Sequence, residues 1–205
     1  MTTLRSAAIA AAATLAPLIS GCSHTPSQPQ SGIEALEQRR AQAQRAYEKG
    51  QELTLVGQYD DAINVYKESV TLDPRNMLAW YYLGVICNHQ RRYAEAVEAW
   101  RIAADLTPSD PRAYFALGLQ YQDLGLLPDA AQCYDRALER DANYLPALKK
   151  AVEVDQLQET YTDTTLERIH RALLQETDPK WVDFLRLMQL RTKERVARAG
   201  GSTGR

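Results

Sequence analysis

One spacing governs this chain: 34 residues. Gly50, Gly84 and Gly118 stand 34 apart, and so do Ala62, Ala96 and Ala130. The aromatics Tyr66, Trp100 and Tyr134 keep the same step, and Ser69, Ala103 and Ala137 hold a small residue at a further offset. Tyr59 and Tyr93 are followed by Leu127, and Pro74 and Pro108 by Ala142. Self-similarity at this period marks a repeat architecture, in which each unit buries its apolar face only against its neighbours. Such a chain stacks its units in a row instead of folding around one central core.

Within each period the apolar residues read as two helices joined by a short turn, at Val56-Gly57-Gln58 and at Asp123-Leu124-Gly125. Gly84 and Ala96 are small where the two helices of a unit approach, and the periodic aromatics fill the space beside them. Asp73-Pro74 and Thr107-Pro108 stop the second helices, because proline cannot continue a helix and restricts the residue before it. The pattern resembles the tetratricopeptide repeat, with units at 43–76, 77–110 and 111–144. The middle unit carries Trp80, Leu83, Gly84, Tyr93, Ala96, Trp100, Ala103 and Pro108 on the family's signature positions; the first departs at Ala46 and Lys49. The resemblance implies an all-α fold, an α-solenoid of antiparallel helix hairpins over 33–160. Residues 145–160 read as a degenerate half-repeat, 161–197 as C-terminal capping helices and 198–205 as a tail.

The flanks are expected as follows. Ile33 to Ala43 extends the first helix, with its charges facing water. Thr164-Thr165-Leu166-Glu167 reads as a capping box opening a helix to about Gln175. Asp178-Pro179 opens a last helix to about Arg195. That helix carries Trp181, Val182, Phe184, Leu185, Leu187, Met188 and Leu190, an apolar set wider than one neighbour covers. Two readings stand: a cap on the end of the solenoid, or a second docking surface. Cys87 takes a packing position held by Leu53 and Tyr121 in the neighbouring units, and Cys133 precedes a periodic aromatic; both read as small buried hydrophobes.

Residues 1–21 stand apart from the repeats. Arg5 is followed by an alanine-rich apolar run from Ala7 to Ile19, the length of a signal-peptide core and shorter than a membrane span. The run closes on Leu18-Ile19-Ser20-Gly21-Cys22, which resembles a bacterial lipobox. That resemblance implies cleavage before Cys22 and diacylglycerol on its thiol; the alternative is an ordinary cleaved signal. Ser23 after the cysteine implies sorting to an outer membrane facing the periplasm. Residues 22–32 read as a flexible polar tether.

The composition narrows the function. The formal net charge is −2, with no long Lys/Arg block, which argues against a nucleic-acid partner. The three cysteines and three histidines match no metal-ligand spacing, and no nucleophile, phosphate-loop or zinc-protease motif occurs. No cofactor, metal, small-molecule substrate or catalysis is expected. Asp60-Asp61 reads as a carboxylate pair favourable to a helix N-terminus. The resemblance implies that the first helix of each hairpin lines a groove that binds another protein or a peptide segment. Its positions carry over to Gln44, Tyr47, Gln51 and Thr54; to Leu78, Tyr81, Val85, Asn88 and His89; and to Arg112, Phe115, Leu119, Gln122 and Asp123. Tyr47, Tyr81 and Phe115 share one repeat position and are expected as an aromatic row. Some of these residues would instead pack against the end helices. At the positions where relatives that clamp a peptide carboxylate use Lys and Asn, this chain has Tyr47, Gln51 and Tyr82, and only Arg112 is basic.

Overall fold

A computed structural model describes residues 32–201, and these residues form nine α-helices and no strand. They are α1 (Gly32–Leu55), α2 (Tyr59–Leu72), α3 (Met77–His89), α4 (Tyr93–Leu106), α5 (Arg112–Asp123), α6 (Leu127–Arg140), α7 (Leu145–Leu157), α8 (Asp163–Leu173) and α9 (Pro179–Gly201). Helices α1/α2, α3/α4, α5/α6 and α7/α8 pack as hairpins, each hairpin packs on the next, and α9 closes the stack against α8. The leader, Cys22, most of the tether and the last four residues lie outside the described residues.

The close approach read from the small residues is tight. A methyl group on Gly50, Gly84 or Gly118 would lie 2.6, 2.6 or 2.4 Å from the ring of Tyr66, Trp100 or Tyr134 respectively. Each ring therefore occupies the space where a side chain on the first helix would stand. Its own polar atom is satisfied there: Tyr134 Oη donates to Gln122 Oε1 at 2.7 Å, and Trp100 Nε1 donates to the Tyr81 carbonyl at 3.1 Å. Ser69, fully buried, donates to the Ala43 carbonyl at 2.8 Å and ties the end of α2 to α1. Cys87 and Cys133 are buried free thiols, and burial pushes the Cys133 thiol up to about 11.

The segment 145–160, read from sequence as a half-repeat, supplies the first helix of a complete fourth hairpin. Its turn repeats the others. One residue in each hairpin turn has positive φ, and these residues are Gly57 (78°), Arg91 (59°), Gly125 (74°) and Glu159 (54°), again 34 apart. The residue after each donates back to the helix: Gln58 to the Leu53 carbonyl, Arg92 to Cys87, Leu126 to Tyr121 and Thr160 to Asp155, at 2.8–2.9 Å. The fourth hairpin escapes a sequence reading because its signature pair is replaced jointly. Val152 stands where the glycine would be, and Arg168 where the aromatic would be. A ring could not lie on Val152, and Arg168 is used differently. Its guanidinium bonds both oxygens of Asp155, at 3.1 and 2.9 Å, and also meets Asp135 on α6. Thr165 Oγ1 completes the shell of Asp155 at 2.9 Å.

Two boundaries differ from expectation. The cap of α8 is Thr162, not Thr164: Thr162 Oγ1 accepts from the Thr165 amide, and Thr165 Oγ1 accepts from the Thr162 amide. Thr165 takes the role expected of Glu167, which pairs with Arg171 instead. Helix α9 continues past Arg195 to Gly201, into the segment read as tail.

Gly118→Ala is expected to lower the urea midpoint by an amount worth about 1–3 kcal/mol, the usual cost of overpacking a tight core. Arg168→Met is expected to cost about 3–5 kcal/mol at neutral pH, because it strands the buried Asp155 carboxylate. Burial, opposed by Arg168, holds Asp155 above the usual carboxylate range. The fold therefore favours the protonated acid, so the contribution of Asp155 to stability is fullest below the unfolded pKa and falls as pH rises through the folded value. The cost of Arg168→Met is accordingly expected to shrink in acid, measured by urea unfolding on both sides of that value.

Candidate protein-binding groove

The first helices, α1, α3, α5 and α7, place their side chains on one side of the stack, and aromatic rings join them. Tyr82 on α3 is the hinge of this surface. Its ring centroid lies 6.0 Å from Tyr47 on α1, 6.4 Å from Tyr66 and 5.4 Å from Tyr81. Arg112 on α5 covers the Tyr81 ring at 5.4 Å. Phe115, one turn further along α5, meets Tyr144 edge-on at 5.5 Å and Tyr134 at 5.9 Å. The expected row of Tyr47, Tyr81 and Phe115 is thus not three rings in mutual contact. Two runs of contacts take its place: Tyr47, Tyr82, Tyr81 and Arg112 form one, and Phe115 with Tyr144 and Tyr134 forms the other, one turn further along α5. Tyr82 and Tyr144 sit at repeat positions that hold no aromatic in the other units (Glu48 and Ala116; Asn76 and Asp110), so periodicity could not single them out.

The sequence-derived lining does not behave as one surface. Tyr47 is a correction: at 7% exposure it belongs to the core, with its ring against Tyr66 and Tyr82 and only its hydroxyl end reaching Gln51, whose Nε2 donates to it at 2.9 Å. The position faces inward here because the rings of Tyr66 on α2 and Tyr82 on α3 pack around it. Thr54 and Gln122 serve the fold, each within reach of the hydroxyl of its own hairpin's tyrosine. His89 is exposed at the far end of α3, with its ring 4.3 Å from Tyr59 of the preceding hairpin. It marks a seam between hairpins instead of the centre of the groove. Gln44 and Asp123 are exposed, while Gln51, Leu78, Tyr81, Val85, Asn88, Arg112, Phe115 and Leu119 are half-buried.

The only basic residue in the expected lining is already engaged. Arg112 Nε and Nη2 bond both carboxylate oxygens of Asp110, at 2.6–3.0 Å. This hydrogen bonding holds the Asp110 carboxyl below its ordinary range and the guanidinium above its own. Desolvation by burial pushes the Tyr81 and Tyr144 phenols up, so both remain neutral donors at physiological pH.

The groove ends in a cleft that the sequence reading did not locate. Phe115, Leu145, Pro146, Lys149, Lys150 and Trp181 enclose about 240 Å³ between α5, α7 and α9. Trp181 forms its far wall, held edge-on to Phe184 at 5.5 Å, with the Lys149 ammonium 4.0 Å from the ring centre. Lys149 is further fixed by an ion pair with Glu176. This cleft accepts an apolar side chain, and the two lysines beside it are ion-paired, Lys149 with Glu176 and Lys150 with Glu153. A larger apolar cleft, about 510 Å³, lies elsewhere, between the first two hairpins on the α2/α4 side. Its repeat equivalent is only about 200 Å³, because Tyr121 and Cys133 occupy the places of Cys87 and Ala99.

Arg112→Ala is expected to return the Asp110 carboxyl toward its ordinary value, read by NMR titration of its side chain. Because the folded pKa of Asp110 is depressed, the wild-type pair stabilises above the unfolded carboxylate pKa and is lost as pH falls through the folded one. The variant is expected to lose that acid-side decline.

Known proteins share this architecture. Residues 47–111 and 90–146 match the model of the family described as tetratricopeptide repeat. The peroxisomal targeting signal receptor of Saccharomyces cerevisiae is 28% identical over 129 residues, covering 59% of this chain and 21% of that protein. The probable SPINDLY N-acetylglucosaminyltransferase of Hordeum vulgare is 33% identical over 93 residues, 42% of this chain and 10% of that protein. The chain thus spans about a fifth or less of the length of these relatives. Among solved structures, the first tetratricopeptide domain of Spaghetti (RPAP3), bound to an HSP90 peptide, superposes with a TM-score of 0.55 at 26% identity, covering 59% of this chain and 96% of that one. A crystal structure of MamA superposes at 0.58 with 22% identity, covering 69% and 77%. Over residues 47–146, just under half of its length, the chain is similar to tetratricopeptide repeats, and its helices stack in the same manner.

Proposed function

We propose that this chain is a lipid-anchored scaffold of a bacterial envelope that holds a partner protein in its groove. The observation that carries the binding half is the pair of aromatic runs, Tyr82–Tyr81–Arg112 and Tyr144–Phe115, which α5 sets one turn apart and the second of which ends in the Trp181 cleft. Rings and half-buried aliphatics that cross three hairpins suit an extended or helical segment carrying apolar anchors. The RPAP3 domain, similar over its whole length, holds the short peptide SRMEEVD. A segment of that length is the scale of ligand this groove accommodates.

The chemistry of the ligand differs from a clamped carboxylate. Tyr47, Gln51 and Tyr82 leave no free cation at the groove's centre, and Arg112 is neutralised by Asp110. The ligand on this reading is recognised by an apolar side chain in the Phe115–Trp181 cleft, flanked by Lys149 and Lys150. The protein works by binding, without catalysis or cofactor. Its anchor is Cys22, acylated after removal of residues 1–21, and the groove then faces the periplasm from the outer membrane. The scaffold serves an envelope assembly of the pilus or secretin kind, or in a second form positions a cell-wall enzyme.

Two measurements test the reading. Intact mass and membrane fractionation of the wild type are expected to show a chain starting at Cys22, bearing lipid and sedimenting with membranes, with Cys22→Ala soluble and unmodified. A soluble, unmodified wild type removes the anchor. A photo-crosslinking residue at Phe115 is expected to capture a partner, and Trp181→Ala to reduce that capture at least about tenfold, the scale of losing one aromatic anchor.

A further inference from the structure

The charge of this protein is divided along its length. Residues 32–178 carry sixteen Lys/Arg against twenty-four Asp/Glu, a net of −8, while α9 alone carries six against two, a net of +4. The two sets of cations are also used differently. Among the described residues nine of the sixteen in the repeats are ion-paired, and none of the six in α9 is. Arg195 lies over the Tyr161 ring; Lys180, Arg186, Arg191, Lys193 and Arg198 are exposed.

These five surround an apolar pair. Leu185, Met188 and Thr192 face the core and are fully buried. At 100° per residue, Leu187 and Leu190 fall on the opposite side of the helix, and they are 47% and 62% exposed. On that same wheel Arg186 and Lys193 flank the leucines on one side, and Lys180, Arg191 and Arg198 on the other. Two acids, Asp183 and Glu194, share the outward face, leaving it with a net charge of +3. A cap needs only the inward side of α9. Exposed leucines bracketed by unpaired cations on both flanks are the pattern of a helix lying on an anionic surface, with the apolar residues entering between headgroups and the cations meeting phosphates.

We infer that the outward face of α9 is a second interface, which docks on anionic phospholipid headgroups. Charge complementarity selects this occupant. The cations from Lys180 to Arg198 span about 27 Å of helix at 1.5 Å per residue, so they address an extended array of negative charge and not a single site. This surface is separate from the Phe115–Trp181 cleft, and its docking does not depend on acylation of Cys22. Where both hold, the chain has two attachments at opposite ends of its solenoid, and two weak signals together give stable membrane binding.

The test uses residues 32–205, which contain all nine helices and lack both residues 1–21 and Cys22, with circular dichroism first verifying that this piece is folded. Vesicles of phosphatidylcholine alone are compared with vesicles containing phosphatidylglycerol, by co-sedimentation at low and high salt. The expected result is binding to the anionic vesicles only, weakened at least about tenfold in 1 M salt, where screening falls to about 3 Å. The fourfold variant R186E/R191E/K193E/R198E is expected to abolish it, and Leu187→Ser/Leu190→Ser to weaken it, with helical content and melting unchanged in both. Equal binding to neutral and anionic vesicles overturns the inference, as does full binding by the charge-reversed variant. So does salt-sensitive self-association without lipid that the same variant removes, since the occupant would then be the acidic repeat surface of a second copy.

Discussion

Everything in this solenoid depends on the contact between a glycine on the first helix of a hairpin and a flat ring on the second. The clearance at Gly50, Gly84 and Gly118 is too small for a methyl group. The contact fixes how near the two helices come, and that distance fixes where the first helices sit relative to one another. The groove is a consequence. Tyr82 can touch Tyr47, Tyr66 and Tyr81 together only because Tyr66 is pressed onto the Gly50 backbone. The ring that builds the hairpin thus also helps to build the surface.

The fourth hairpin shows what happens when that contact is exchanged. Val152 and Arg168 keep the hairpin turn and its 34-residue register while replacing ring-on-backbone packing with a buried charge shared between Asp155 and Asp135. A ring contact is insensitive to pH and can be overpacked by one methyl. The ion network tolerates volume but depends on both partners. The two kinds of hairpin should therefore fail under different conditions, the first three by steric substitution and the fourth by loss of its counter-charge.

Much of the architecture was legible in the sequence because residues that bear on the backbone recur at a fixed step. The glycines, the small residues and the helix-stopping prolines each report a steric requirement at their own position. What was not legible depends on pairs. Arg91 and Glu159 adopt the positive φ that Gly57 and Gly125 adopt freely, and nothing in their side chains announces it. Thr162 captures the cap expected at Thr164 because Thr165 is held by Asp155, a residue of the previous helix. Tyr47, placed outward by its repeat position, turns inward because the first hairpin has Tyr66 and Tyr82 beside it. The Trp181 cleft joins residues more than sixty positions apart, so no local pattern contained it.

Helix α9 brings these two levels together. Its sequence offered a single apolar set too wide for one neighbour, and the structure divides that set. Leu185 and Met188 are consumed by the core beside α8, Trp181 and Phe184 form the end of the groove, and Leu187 and Leu190 remain in water. One helix thus caps the stack, closes the binding surface and presents a third face with an unneutralised positive field. The outward face competes very little with the other two uses, because it lies on the opposite side of the helix, while Trp181 shares the inward side with Leu185 and Met188 and is set apart from them along the axis. A substitution at Leu187 should leave the cap and the cleft intact, whereas one at Trp181 reaches the groove without disturbing the core beneath Met188. That separation makes the Trp181 end of the groove and the charged outer face independently testable in one folded chain.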